Sequence, residues 1–176
     1  MQALFTDSVS YGFSHPLAGL DHLLAMFAVG LLSVQVGRMG WAYIPAVFVL
    51  FLIIGGVLGM LGQTIPQMED GILFSVIALG VLIVLQLRFV PWVALGVVAV
   101  FGIIHGYPHG TEIPVVASAF QYIVGFSLAS AMMHLIGVGI GTICDVFPNP
   151  RHIRAVMGGA LVGAGLVMLV TIKGFF

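Results

Sequence analysis

Hydrophobic positions run continuously along most of the chain instead of alternating with polar ones. Six long apolar runs are separated by short polar breaks, and a spanning helix needs about 20 such residues. The pattern predicts spans over 16–36, 41–62, 71–87, 91–107, 113–143 and 153–173. No run shows the period-two alternation of a membrane barrel. The fourth run is short, with His105 at its end, and the fifth is long enough that it must tilt, break or project. With such short gaps, residues 1–176 are expected to form a single transmembrane domain. The fold class is an all-α integral membrane protein, a compact bundle of six transmembrane helices. Met1–Ser14 contains no basic residue and no apolar core, so it reads as a short polar tail and not as a signal peptide.

Composition agrees with the pattern. Hydrophobic residues make up 61% and charged residues 6% of the chain. Soluble domains carry about 25% charged residues, so a water-facing surface is excluded. The net charge of −1 offers no basic field for nucleic acid. Cys144 is the single cysteine, which excludes an intrachain disulfide and a cysteine metal cluster. No P-loop pattern is present.

The few charges set an orientation. Arg38, Arg88, Arg151 and Arg154 fall in alternate loops, and Glu69, Asp70 and Glu112 in the others. Basic loops face the cytoplasm, which puts both termini on the outer side; only Lys173 departs from the rule. Asp145 is expected to offset Arg151 or Arg154. Glycine pairs at spacing four, Gly55 and Gly59, Gly137 and Gly141, Gly159 and Gly163, predict close helix packing.

Chemistry must come from the ionisable groups at the spans, which are costly there. HPLAGLDH places His15, Asp21 and His22 at the start of span one. Pro16 suits a first helical position, with His15 as the cap. His15, Gly19 and His22 then share a face, while Asp21 points about 100° from His22. Asp21 can ligate from the side or hold a histidine N–H. HGYPHGTE places His105, His109 and Glu112 after span four. Pro108 predicts that the helix ends near His105 and that His109 lies on an irregular turn. Glu112 falls at the start of span five. Both clusters lie on the outer side in this orientation, and together they suit a divalent ion such as nickel, copper, zinc or iron. His134, about 31 Å along a continuous fifth helix, is expected nearer the inner face. His152 in the basic loop reads as solvated, and Met26 as a core side chain sharing the face of His22. These groups are compatible with a cation permease, with a membrane metalloenzyme, or with a b-type haem protein.

HPLAGLDHLLAMFAVGL and FGIIHGYPHGTEIP resemble the two signature segments of the HupE/UreJ family, nickel permeases associated with hydrogenase and urease maturation. The resemblance extends in span pattern over nearly the whole chain. It implies six spans in a bacterial inner membrane, no enzymatic activity and no prosthetic group. It also implies outer capture of Ni²⁺, with Co²⁺ as a further candidate, and passage into the cytoplasm without ATP. Matched residue by residue, His15, Asp21 and His22 fall in the first motif, and His105, His109 and Glu112 in the second. His134 resembles a histidine of span five. Tyr107 and Pro108 depart from the small or polar residues usual in the second motif.

Overall fold

The computed structural model describes residues 2–37, 39–62, 66–86, 91–115 and 117–174, with side chains from residue 8 onward except that of Lys173. Arg38 and Arg88, on which the orientation rests, lie outside the described residues, as does the side chain of Lys173. Among the described residues seven α-helices follow one another: α1 Gln2–Ala18, α2 Leu20–Gln35, α3 Gly40–Met60, α4 Met68–Leu85, α5 Pro91–Thr111, α6 Ala119–Ile143 and α7 Pro150–Lys173. A short 3₁₀ turn, Cys144–Val146, joins the last two. Five helices, α3 to α7, are long and apolar enough to cross a membrane, and the bent pair α1–α2 supplies a sixth crossing if it counts as one span.

Three expectations fail at the first span. Residues 2–14 are not a polar tail but most of helix α1, which packs along the first half of α6. A Cβ on Gly12 would collide with the Tyr122 carbonyl, and one on Gly125 with the Val9 carbonyl, so glycine on both helices permits the approach. The run 16–36 is broken at Gly19, where the axis turns by 85°. Pro16 accordingly lies inside the last turn of α1 and does not open a helix, and His15 is a last-turn residue and not a cap. Gly19 is extended, with φ −97° and ψ 118°.

The second motif also departs from expectation. Helix α5 continues through Pro108 to Thr111. Proline removes one helix hydrogen bond, but the lost bond is outweighed here by packing. Gly102, Gly106 and Gly110 bring α5 against the backbone of α3 at Phe48, Leu52 and Gly56, and Gly55 and Gly59 reciprocate at Ile103 and Tyr107. The Pro108 carbonyl accepts the Glu112 N–H at 2.9 Å and the Thr111 hydroxyl at 3.0 Å, which closes the helix end. Glu112 therefore ends the α5 segment and does not begin the next span. Pro114 disfavours helix at Ile113, and α6 begins only at Ala119.

The close approaches also give the helix directions. Contacts of Gly55 with Ile103 and Gly59 with Tyr107 make α3 and α5 parallel. Gly30 meets Gly137, and Val34 meets Gly141, so α2 and α6 run parallel. Gly80 meets Gly158, and Ile77 meets Gly165, so α4 and α7 are antiparallel. Two of the three glycine pairs thus pack as expected. Gly159 and Gly163 do not: no neighbouring atom stands near either, and Gly158 and Gly165 make the contact with α4 instead. Spacing alone shows that two glycines share a face, not which way the face points.

Candidate metal site

The bend at Gly19 does local work. A Cβ there would stand 2.8 Å from Asp21 Oδ1 and 3.1 Å from His22 Nδ1, so a side chain at this position would push both groups out of their places over the break. Asp21 Oδ1 accepts the His22 backbone N–H at 2.8 Å and faces His22 Nδ1 at 3.1 Å. A carboxylate only accepts, so Nδ1 carries the proton and Nε2 keeps its lone pair. That Nε2 is buried and has no hydrogen-bond partner. Of the two roles open to Asp21, this geometry is that of the group orienting the imidazole.

Helix α5 supplies the facing pair. His105 and His109 are each 1% exposed, one turn apart on the side of α5 that meets α2. His105 Nδ1 donates to the Phe101 carbonyl at 2.8 Å, which again leaves the lone pair on Nε2. Ser75 Oγ lies 3.5 Å from that Nε2, but donates its own proton to the Ile72 carbonyl at 2.6 Å. His109 Nδ1 is buried without a partner. His15 reaches across from α1, and its Nε2 pairs with Glu112 Oε2 at 3.2 Å.

The rings converge. Centroids lie 5.4 Å apart for His22 and His105, 5.0 Å for His22 and His109, and 4.9 Å for His15 and His109. Six of the residues singled out from sequence, His15, Asp21, His22, His105, His109 and Glu112, are thus brought to one end of the bundle. Among the described residues, no three His, Cys, Asp or Glu side chains form a ready group for a metal ion. The rings meet edge to face or at a tilt, so closing on an ion about 2 Å from each nitrogen requires side-chain rotation. A cavity of about 330 Å³ opens beside them, lined by His15, Asp21, His22, Glu69 and Glu112 among others.

His134 is not part of this cluster. It lies in the middle of α6, fully buried, with the ring of Phe48 at 4.9 Å. At the opposite end, Arg154 pairs with Asp145 at 2.7 Å, as anticipated, and His152 is exposed. Met26 is a buried core residue.

Several site residues escaped the sequence reading. Glu69 lines the cavity, although in the sequence it marks only an outer loop. Tyr122 approaches His15 at 5.9 Å, and Phe126 stacks on His109 at 5.1 Å. Tyr122 opens α6 one turn after its cap, a position that a correct start for that helix would have marked. Ser75 and Phe126 carry no signal that separates them from ordinary spanning residues.

Comparison with known proteins agrees with the motifs. The chain is 36% identical to Protein HupE of Rhizobium leguminosarum bv. viciae over 168 residues, covering 95% of this chain and 87% of that protein. No solved structure matches. The family described as HupE / UreJ protein matches residues 2–168. It is a transporter and accessory family associated with nickel and metal uptake for hydrogenase and urease, and it is not known for enzymatic activity. With the match spanning nearly the whole chain, this multi-pass membrane protein belongs to the HupE/UreJ family.

Proposed function

We propose that the chain is a permease that admits a divalent transition-metal cation, Ni²⁺ in first place and Co²⁺ next, to the cytoplasm of a bacterium across its inner membrane. The ion moves without ATP hydrolysis. The bundle crosses six times with both termini outside, so the histidine cluster faces outward. His22, His105, His109 and His15 take the ion, Asp21 orients His22, and Glu112 draws the cation in and releases His15 as it arrives. His134 serves further along the path.

One observation carries this reading: His22 on α2 and His105 on α5, with rings 5.4 Å apart, each keep the Nε2 lone pair free of a proton. His22 Nε2 and His109 Nδ1 are buried without partners, and the His105 proton is fixed on the far nitrogen by Phe101. A buried polar atom left unpaired costs about 1–3 kcal/mol, a cost that a ligand can repay. Neutral imidazole suits nickel, copper, zinc and iron. Binding must stay weak enough for release, in keeping with donors gathered but not locked.

The test is uptake of Ni²⁺, Co²⁺, Zn²⁺ and Fe²⁺, each in turn, by proteoliposomes containing the purified chain. Saturable Ni²⁺ uptake is expected, falling at least tenfold in His22→Ala and in His105→Ala while both variants remain folded. Undiminished uptake by either variant would overturn the shared site.

A further inference from the structure

The geometry points to a second cation station inside the bundle, built on His134 and Ser130 and reached from the histidine cluster past the ring of Phe48. It deepens the permease reading and rests on it.

The first observation is an unusual pair of open groups. His134 is fully buried, and neither ring nitrogen has a hydrogen-bond partner. A neutral imidazole carries one N–H and one lone pair, so a donor and an acceptor are both unmet. Ser130 lies one turn earlier on α6, on the same face. It too is fully buried, with its hydroxyl unpartnered. A serine inside a spanning helix ordinarily bonds to its own backbone. Buried Ser33 and Ser75 do so, donating to the Gly30 and Ile72 carbonyls at 2.6 Å each. Ser130 does not. Buried groups of this kind call for an explanation, such as an ion or a water.

The second observation is position. Phe48 on α3 is fully buried and stands between two histidines, with its ring 5.5 Å from His105 and 4.9 Å from His134. Each contact brings the ring against an imidazole, so Phe48 is the shared wall between cluster and station. Gly30 on α2 packs against the α6 backbone at the same level, where a Cβ would collide with the His134 carbonyl. His134 lies 15 residues into α6, counted from Ala119, or roughly 22 Å along its axis. That depth puts the pair beyond the cluster, along the route an ion would follow.

The chemistry suits transit more than capture. One imidazole lone pair and one hydroxyl oxygen give a divalent transition-metal ion two protein ligands. Waters complete its shell, and one of them can accept the remaining histidine N–H. Two ligands bind more weakly than the cluster can, so an ion handed inward is readily released. Phe48 must turn aside for each ion, which separates the two stations and keeps the path from standing open.

The experiment is Ni²⁺ binding to the purified full chain by equilibrium dialysis, paired with uptake in proteoliposomes. Wild type is expected to bind two classes of ion. His134→Ala should lose one class, keep the cluster's affinity within about twofold, and transport at least tenfold more slowly. Ser130→Ala should weaken the same class several-fold, and Ser130→Thr, which keeps the hydroxyl, should restore it. The serine pair decides alone if His134→Ala does not fold. The station is overturned if His134→Ala binds the wild-type number of ions, or if Ser130→Ala leaves both classes unchanged. A single class in wild type, lost in His22→Ala, removes the station and leaves the permease reading standing. No binding by wild type removes both.

Discussion

His22 and Arg154 are both held near helix N-termini, one at each end of the bundle, and each is set beside a carboxylate. Asp21 lies 3.1 Å from His22 Nδ1, and Asp145 lies 2.7 Å from an Arg154 nitrogen. What remains after pairing differs. The Arg154 nitrogen facing Asp145 also reaches the Gly141 carbonyl at 3.1 Å, tying α7 back to the end of α6. Its unpartnered Nε is a donor that cannot accept a cation. His22 emerges from its pairing with a lone pair exposed to the His105 and His109 rings. Similar carboxylate partners thus produce a fastening at one end and an open ligand at the other. The decisive property is the chemistry left over, and not the presence of charge at a membrane boundary.

The comparison is sharpened most by acid. Metal must compete with protons for the histidine nitrogens, and an unperturbed imidazole titrates near a pH of about 6.5. Lowering pH protonates the ligand and removes the lone pair, so affinity must fall and cannot rise. Below its own pKa, each histidine that must shed a proton costs about tenfold in apparent Ni²⁺ affinity per pH unit. The pair at the other end contains no imidazole, so helicity is expected to hold over the same range. Ni²⁺ titrations of the purified chain from neutral pH down to the acid limit of the fold, with helicity followed alongside, check both halves. A flat affinity would argue against imidazole ligation.

The sequence made the cluster's composition readable but not its shape. Six of its residues stand in two short motifs, because ionisable groups are rare in such an apolar chain. The reasons they meet are tertiary. Proline usually ends a helix, yet Pro108 lies inside α5, because glycine-lined contact with α3 holds that helix together. The 85° turn at Gly19 could not be read from a run that is apolar on both sides of it. His134 was expected far from the cluster. A delayed start of α6 and the intervening Phe48 ring instead bring it within one side chain of His105. Ser130 is invisible in sequence, since only the loss of its usual backbone bond sets it apart from Ser33 and Ser75.

The fastening itself should be worth little. The Asp145 side chain is 52% exposed, and exposed ion pairs contribute about 0–1 kcal/mol. Asp145→Asn is therefore expected to lower stability by about 1 kcal/mol or less, with Ni²⁺ affinity unchanged. Thermal unfolding in detergent measures the first and equilibrium dialysis the second. A marked loss of Ni²⁺ binding would show that the two ends are not chemically separate.

The smallest effect is expected at His152, the histidine that belongs to the other end. It is exposed, in the first turn of α7, between Arg151 and Ile153. Two neighbouring arginines repel a divalent cation, and the carboxylate nearby is committed to Arg154. An exposed imidazole in such a field has water as its partner and no second ligand to share. His152→Ala should accordingly leave Ni²⁺ affinity and uptake within about twofold of wild type, a change of about 0.4 kcal/mol. Dialysis and proteoliposome uptake on the same preparation read both. If His152→Ala abolished binding while His22→Ala did not, the capture site would belong to the arginine-bearing end. The sidedness inferred from the basic loops would then have to be reversed, and the contrast between an open end and a fastened end would invert with it.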